Sequence, residues 1–258
     1  MVRRYDMIGV SSTTFCTESV EESLVKISKE FSHWEIMSEG EHYLPLIMRR
    51  LEAIAPSYNL KFSIHAPISD VNIAALSERI REAAVMEVIA SIEQAVELNV
   101  NTVTLHPGYQ SFAVDGLRSR SFEKAKKSIR TIDRLMNEFS IVACIENMPS
   151  FKFMIGQTAK EMSELLDGTD MKVCFDIGHA NTTNQIDEII DALGDRIRNV
   201  HIHDNEGASD DHMTIGDGKI DFRHVLKRLS KYKGKYVIES RSLESAVISR
   251  ERLKALLS

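Results

Sequence analysis

Short apolar runs that finish on a histidine or a carboxylate recur along this chain, and this feature limits the possible folds most strongly. Six of the run ends read Ser63-Ile64-His65, Thr104-Leu105-His106, Cys144-Ile145-Glu146, Cys174-Phe175-Asp176, Asn199-Val200-His201 and Val237-Ile238-Glu239. A weaker seventh run ends at Trp34-Glu35. Apolar residues followed by one polar group are typical of a buried parallel strand that presents a side chain at its carboxyl end. Six such ends of metal-ligand type, in order along the chain, indicate one shared pocket.

Helical patterns separate these runs, so strands and helices alternate along the chain. Strands are expected at about residues 7–11, 33–37, 61–65, 102–106, 141–146, 172–176, 199–203 and 236–239. Helices are expected at about residues 19–31, 43–55, 77–98, 118–138, 158–166, 185–193, 222–229 and 243–257. Eight β/α units in 258 residues predict a single α/β domain over residues 1–258, closed as a (β/α)8 TIM barrel.

The helix expected over residues 77–98 has the clearest apolar pattern. Its apolar positions recur at a spacing of four: Ile80, Ala84, Val88, Ile92 and Val96. This spacing predicts one apolar stripe packed against the barrel wall. The two longest irregular stretches, residues 66–75 and 204–221, both follow strand carboxyl ends, which form the catalytic face of such barrels.

Charge and cysteine content narrow the class of protein. The net charge is −6, so there is no global basic field that would attract nucleic acid. The cysteines have no CxxC spacing, and Cys144 and Cys174 lie within apolar runs, which predicts buried reduced thiols. Residues 1–6 lack the apolar stretch of a signal peptide, and no run approaches the ~18 residues of a membrane span. We expect a cytoplasmic protein without a membrane partner, whose oligomeric state the sequence leaves open.

Nine side chains of metal-ligand type are expected to converge at the C-terminal face of the strands. They are His65, His106, Glu146, Asp176, His179, His201, Asp210, His212 and Glu239. Buried charge of this density needs a counter-ion. Imidazole with carboxylate suits Zn²⁺, Mn²⁺, Fe²⁺ or Co²⁺, whereas an all-oxygen set suits Mg²⁺ better. Because a carboxylate can bridge two metals, we predict one to three divalent ions, with zinc preferred and manganese, cobalt, iron or magnesium as alternatives.

Several of these residues also have a structural explanation. His65 and His106 each precede a proline-containing turn and could cap a strand end, and Asp176 could cap the next helix. His201 and His203 alternate on one strand and therefore share a face. Either one of that pair binds metal and the other contacts the substrate, or both hydrogen-bond to the ligands without binding metal.

Other polar and aromatic residues receive separate predictions. Asn147, which follows Glu146, is expected to contact the substrate. The histidines predicted to lie outside the site are His33, His42 and His224. The aromatic residues predicted to lie in the core or the pocket wall are Trp34, Phe62, Tyr109 and Phe175.

The motifs resemble those of a known superfamily. They are His65-Ala66-Pro67, His106-Pro107-Gly108, Ile145-Glu146-Asn147, Phe175-Asp176-Ile177-Gly178-His179-Ala180, His201-Ile202-His203-Asp204, the segment 210–218 and Ile238-Glu239. Together they resemble the xylose isomerase-like TIM-barrel superfamily, which includes endonuclease IV and many sugar or sugar-phosphate isomerases and epimerases. The HxxD pattern of this superfamily matches His201 and Asp204, so His201 is preferred to His203 as the ligand. The DxH pattern matches Asp210 and His212.

The isomerase branch of this resemblance implies one divalent ion. Its ligands would be Glu146, Asp176, His201 and Glu239. Glu146 and Glu239 would then be the catalytic acid/base pair that moves a proton through an enediolate. The substrate would be a small sugar or sugar phosphate, with His203 and Asn147 in contact with it.

The endonuclease IV branch implies that all nine groups hold three zinc ions, with Glu146 as the bridging carboxylate and DNA as the substrate. Two departures weaken this alternative. Residues 35–42 are acidic where endonuclease IV carries a longer basic and aromatic DNA-recognition loop, and Met148-Pro149-Ser150 is not glycine-rich. The basic residues near the fourth β/α unit are expected to form a solvated helix face: Arg118, Arg120, Lys124, Lys126 and Lys127.

The resemblance therefore favours a metal-dependent sugar isomerase or epimerase. A zinc phosphodiesterase or AP endonuclease is the first alternative. A non-catalytic metal- or sugar-binding barrel is the second. Function on a shared fold has to be decided at the site itself.

Overall fold

Eight parallel strands close into a barrel in the order in which they occur along the chain. The computed structural model describes residues 7–13, 15–136, 138–139 and 141–258. Strands β1 to β8 span Ile8–Ser11, His33–Met37, Lys61–His65, Thr102–Leu105, Val142–Glu146, Lys172–Asp176, Ile197–Ile202 and Lys235–Ile238. The predicted (β/α)8 barrel is confirmed. The prediction about a signal peptide concerns residues 1–6, which lie outside the described residues.

Helices surround the barrel. Helices α1 to α9 span Val20–Glu30, Leu44–Ile54, Glu78–Glu97, Arg118–Met136, Ala159–Leu166, Ile177–Thr182, Ile186–Leu193, Phe222–Arg228 and Leu243–Leu257. The sequence did not predict α6, because this helix follows β6 directly and is too short to show a helical period. The predicted continuation of α4 to residue 138 includes residue 137, which is not described. No helix in the described part of the chain is both long and apolar enough to cross a membrane.

The strand register brings the predicted site residues to one level. Met37 of β2 lies opposite His65 of β3, and Asp176 of β6 lies opposite His201 of β7. Because successive side chains of a strand point to opposite sides, every second residue faces the barrel interior. The carboxyl ends of the parallel strands meet at one end of the barrel, here called the mouth, and their amino ends meet at the other, here called the amino end.

The hydrophobic core lies between the strands and the helices. Trp34 and Phe175 are fully buried in it, as predicted, and Phe62 packs against it while partly buried. Cys144 and Cys174 are free and buried, which confirms the prediction of reduced thiols. Burial raises the pKa of the Cys144 thiol to about 12, so this side chain behaves as a small apolar group.

The predicted apolar stripe of α3 is wrong at both ends. Ile80 is 59% exposed and Val96 is 43% exposed, whereas Val88 is buried. An α-helix has about 3.6 residues per turn, so positions spaced by four drift around the helix and leave the buried face. Val85 and Ala95 complete that face instead.

Candidate metal centre

All nine predicted ligands lie together at the mouth. Potential ligand atoms within 4.8 Å of one another form three main sets: His65 with His106 and Glu146; Asp176 with His201 and Glu239; and His179 with His203, Asp210 and His212. Glu146 also groups with Asp176 and His179, so it links the sets. The role of these residues as ligands stays a prediction.

The first set is held by the ends of β3, β4 and β5. Glu146 Oε2 lies 3.1 Å from His65 Nε2 and 3.1 Å from His106 Nε2. His65 Nδ1 lies 2.8 Å from the Ala66 carbonyl oxygen, to which it donates a hydrogen bond. The His65 Nε2 lone pair therefore faces a carboxylate oxygen, and a proton or a cation is required between them.

The second set converges on one nitrogen of His201. Its Nδ1 lies 3.0 Å from Glu146 Oε1, 3.3 Å from Glu239 Oε1 and 3.9 Å from Asp176 Oδ2. The other ring nitrogen, Nε2, donates to Glu35 Oε1 at 2.6 Å, because an ionised carboxylate can only accept. Nδ1 is thus directed at three carboxylates, so it carries a proton in the protein alone and could bind a cation in place of that proton.

Glu35 lies directly beneath this set, a role that the sequence left undecided. It is fully buried, and its Oε2 accepts hydrogen bonds from Ser63 Oγ at 2.6 Å and Asn199 Nδ2 at 2.8 Å. Burial would raise the pKa of the Glu35 carboxyl, but the charge and hydrogen bond of His201 hold it well below its usual value. Glu35 therefore remains ionised and fixes the orientation of the His201 ring.

The third set surrounds Asp210. Its Oδ2 lies 3.3 Å from His179 Nε2 and 3.2 Å from His212 Nε2, and its Oδ1 lies 3.3 Å from His203 Nε2. His203, predicted to contact substrate, is fully buried and stacks on His212 with 4.1 Å between ring centroids. We therefore expect His203 to belong to this set. A Cβ atom at Gly178 would lie 2.0 Å from the His203 ring, so glycine is required there.

The loop that carries Asp210 and His212 is organised by Asp204. The two oxygens of this carboxylate accept backbone N–H bonds from Asn205, Gly216, Gly218 and Ile220, at 2.8 to 3.2 Å. The aspartate of the HxxD pattern therefore shapes the loop and lies outside the three sets. His212 itself has a φ of 47°, in the left-handed region that costs a non-glycine residue free energy.

Asn147 also has a positioning role. Its amide nitrogen donates to the Asp176 carbonyl oxygen, and its amide oxygen accepts from the Asp176 N–H, each at 2.9 Å. The Asn147 carbonyl oxygen accepts a bond from His179 Nδ1 at 2.8 Å. We therefore expect Asn147 to hold β5 and β6 in register at the site rather than to contact substrate. Asp176 does cap α6, because its Oδ1 accepts from the His179 N–H at 2.6 Å.

Buried polar atoms without a hydrogen bond show that the donor set fits cations. Four of these atoms belong to the cluster: Asp176 Oδ2, His203 Nε2, Asp210 Oδ1 and His212 Nδ1. Buried polar groups are normally hydrogen-bonded, and unpaired ones are costly. A mixed imidazole and carboxylate set matches the ligand preference of divalent transition metals. The residues present therefore fit the predicted metal site.

Charges within the cluster shift pKa values in opposite directions. Burial would raise the pKa of the Glu146 carboxyl, but the charge of His201 and hydrogen bonds from three histidines hold it well below its usual range. Burial would lower the pKa of His179, but the Asp176 charge and the Asp210 carboxylate raise it well above its usual value. In the protein alone, histidine protons balance the carboxylates, so a bound cation has to displace them.

The basic residues that were predicted to lie outside the cluster have partners elsewhere. The histidines predicted to lie outside it do so: His33, His42 and His224. On α4, Arg118 pairs with Glu161 at 2.6 Å, and Lys124 and Lys127 contact Glu78. These paired charges agree with a solvated helix face rather than a free basic surface.

A closed parallel eight-stranded barrel with histidines and carboxylates clustered at its mouth places this protein among the TIM barrels that carry a candidate metal site at the carboxyl ends of their strands. The family model described as xylose isomerase-like TIM barrel matches residues 30–256, and the chain belongs to this family.

Similar proteins include one without an assigned function and two whose names point to different activities. The uncharacterized protein MJ1311 of Methanocaldococcus jannaschii is 37% identical over 259 residues, covering 96% of this chain and 88% of that protein. A solved D-tagatose 3-epimerase-like protein is 35% identical, with a TM-score of 0.89 and 97% coverage of both chains. Probable endonuclease 4 of Thermoplasma volcanium is 29% identical over 166 residues, covering 58% of this chain and 56% of that protein. The superfamily includes enzymes of both kinds, epimerases and endonuclease IV.

Proposed function

We propose that this protein is a divalent-metal-dependent hydrolase of phosphate esters. The observation that carries the proposal is the linkage of three donor sets through Glu146. One carboxylate shared between sets is the arrangement expected of a site that binds several ions. Phosphate ester hydrolysis is the reaction class that gains most from such a site, because charge develops on several oxygens at once.

A one-ion isomerase would need only part of this cluster. The second set and Glu146 would suffice for it. The groups left over are His65, His106, His179, His203, Asp210 and His212. All of them are buried or partly buried and face acids or other histidines of the cluster, which is costly unless a cation is present.

Bound divalent cations would lower the pKa of a water molecule and neutralise charge on the phosphate oxygens. Hydrolysis breaks the phosphorus–oxygen bond to the alcohol, forms one to the water oxygen and passes one proton to the alcohol. We expect Glu146 and Glu239, two of the carboxylates beside His201, to hold or move this proton. The His106 and His212 side chains, 19% and 23% exposed, mark the side from which substrate enters.

The loops beyond the first set suit a small, ring-bearing ester better than duplex DNA. Phe151 and Phe153 stack with 5.8 Å between centroids, and Phe112, 79% exposed, lies 6.2 Å from Phe153. Exposed aromatic faces of this kind can stack with a base or a sugar ring. In the short acidic loop after β2, Glu39 accepts hydrogen bonds from the backbone N–H groups of residues 68 and 69. These bonds fix the loop against the one that follows β3. DNA binding requires free basic groups, and most of those on α4 are paired.

A sugar isomerase or epimerase is the second candidate. Glu146 and Glu239 lie 3.0 and 3.3 Å from His201 Nδ1, which favours it because an acid and a base are needed to move a proton. The similarity to the D-tagatose 3-epimerase-like protein points the same way.

Metal content and a substrate panel separate these functions. Protein purified without chelator is analysed for metals, then assayed with aryl phosphate mono- and diesters, an abasic-site duplex, and sugars and sugar phosphates in deuterated water. Two or three ions per chain with ester cleavage are expected. Cleavage of the duplex alone would select the AP endonuclease.

Variants of the third set sharpen this test. His212→Asn should lower the metal content and abolish ester cleavage, while the exposed Glu164→Gln control should change neither. One ion per chain, deuterium exchange into a sugar and full activity of His212→Asn would overturn the hydrolase proposal in favour of the isomerase. Bound metal without any of these activities would favour a non-catalytic barrel.

A further inference from the structure

A cavity lies at the amino end of the barrel, and its walls are positively charged. It has a volume of about 590 Å³. Four cationic side chains line it: Lys61, Arg198, Lys233 and Lys235. None of the described residues that line it is an aspartate or a glutamate. This is unexpected in a chain with 38 acidic and 32 basic residues.

The barrel itself gathers these cations. Lys61 and Lys235 are the first residues of β3 and β8, and Arg198 is the second residue of β7. Because parallel strands begin at the same end of a barrel, side chains from distant parts of the sequence meet there. Asn59 and Asn101 add amide groups that can donate hydrogen bonds to the same cavity.

Among the described residues, these four cations have no acidic partner. None of them has a side-chain nitrogen within 4.0 Å of a carboxylate oxygen, the limit that defines an ion pair. Elsewhere in the chain, Arg228 pairs with Asp187 and Arg252 with Asp217. Burial and the charge of Lys61 lower the pKa of the Lys235 ammonium to about 8, the direction expected for a positive charge without a counter-ion.

We propose that this cavity binds a phosphate group, either as free phosphate or as part of a phosphorylated small molecule. Several ammonium and guanidinium donors around one cavity match the charge and the oxygen acceptors of a phosphate better than those of a single carboxylate. The proposal is independent of the reaction at the mouth, because the two sites share none of the side chains assigned to the metal centre.

The phosphate site is connected to the metal centre by hydrogen bonds. Lys235 Nζ donates to His33 Nδ1, and His33 Nε2 donates to Ser63 Oγ at 2.9 Å. Ser63 Oγ donates to Glu35 Oε2 at 2.6 Å, and the other oxygen of Glu35 accepts from His201. Since carboxylates only accept, the three donors between Lys235 and Glu35 all point towards the mouth. A phosphate that keeps Lys235 in place therefore supports the His201 orientation.

Calorimetry with inorganic phosphate tests the site in the metal-loaded protein, with chloride at equal ionic strength as the control titrant. The double variant Lys61→Gln/Lys233→Gln should bind phosphate about a hundredfold more weakly, because each of the two lost charge-assisted bonds is worth roughly a factor of ten. Lys160→Gln, an exposed lysine on α5 outside the cavity, should bind like the unaltered protein.

Two further arms make the result decisive. Glu146→Gln, which disrupts the metal centre, should retain phosphate binding at the amino end. Tighter binding of glycerol phosphate than of free phosphate would identify an ester as the ligand, and the reverse order would identify phosphate itself. Equal affinity of the double variant and the Lys160→Gln control would overturn the proposal, as would loss of all binding in Glu146→Gln.

Discussion

The mouth and the amino end are formed by the same eight strands, yet they hold opposite charges. At the mouth, Glu146, Asp176, Asp210 and Glu239 surround imidazoles, and the pKa values of His179, His201 and His212 rise because of these acids. At the amino end, lysines and an arginine line a cavity whose described lining residues include no acid, and the pKa values of His33 and Lys235 fall. The fold can carry a separate site at each end because parallel strands gather all their starts at one end and all their finishes at the other.

Loss of Glu146 should give the largest difference between the two ends. Glu146→Gln removes the carboxylate that links the donor sets, so metal content and turnover should fall, turnover by on the order of 10³-fold. Elemental analysis and steady-state rates measure this, with Glu164→Gln as the matched surface control. Retention of full metal content would show that the sets do not depend on a shared carboxylate.

Acidification should act in part through His33, at the amino end. Burial and the charge of Lys235 lower the pKa of His33 to about 3, whereas the unfolded chain titrates near 6.5. The folded state excludes this proton, so the stabilising contribution of neutral His33 is complete above pH 6.5 and is lost as the pH falls towards 3. Between pH 6.5 and 4.5 the loss should reach about 3 kcal/mol.

Urea unfolding of metal-free protein at a series of pH values measures this loss. His33→Gln should flatten the acid limb of the stability profile. His224→Gln, on the surface of α8, should leave the limb unchanged. An acid limb that is the same in all three proteins would assign the pH dependence to other groups.

Glu35 lies between the two ends, and its replacement should have an intermediate effect. Glu35→Gln keeps the size of the side chain but removes the charge that orients His201. Metal affinity should fall roughly 10- to 100-fold, the usual cost of removing a partner of a metal-binding histidine. Competition with a chelating dye measures the affinity. A loss of stability with unchanged affinity would mean that Glu35 serves packing alone.

Alkaline pH should act through the mouth, and in the opposite direction. Burial opposes the charge of His212, but its hydrogen bond to Asp210 and the charge of Glu239 raise its pKa to about 8. Its contribution to metal-free stability is complete below pH 6.5 and is lost as the pH rises through 8, by about 2 kcal/mol in total. Thermal unfolding with chelator should show this decline, and saturating zinc should reverse it. A flat profile between pH 6.5 and 9 would contradict the assignment.

The mouth was predictable from the sequence because its residues sit at strand ends. The polar side chain is the last residue of each apolar run or the residue directly after it. The ends of the runs therefore identified His65, Glu146 and Asp176. Glu35 was harder to assign, since strands buried on both faces show no alternation that tells inward from outward. The role of Asn147 was hidden for another reason, because only the register of β5 and β6 shows that its amide meets the Asp176 backbone.

The amino end was not predicted, and the reason is physical. Strand starts carry no run of apolar residues before them, so Lys61 and Lys235 look like ordinary surface lysines in the sequence. His33 and Lys235 are 202 positions apart and meet only when the barrel closes. Helix α3 shows a different limit of prediction from sequence. Apolar residues at a constant spacing of four suggested one continuous buried face, but the buried face follows a period of about 3.6 residues.

Asp204 ties both ends of the loop that carries Asp210 and His212 into a single unit. A descendant of this protein could therefore lose Asp210 and His212 from the third donor set in one mutational step, at a carboxylate whose hydrogen bonds go to other residues. Such a lineage would keep the barrel and the second set, and it would pass from chemistry that uses several ions towards chemistry that uses one. A single carboxylate outside the three sets is thus a point at which proteins of this architecture can diverge in function.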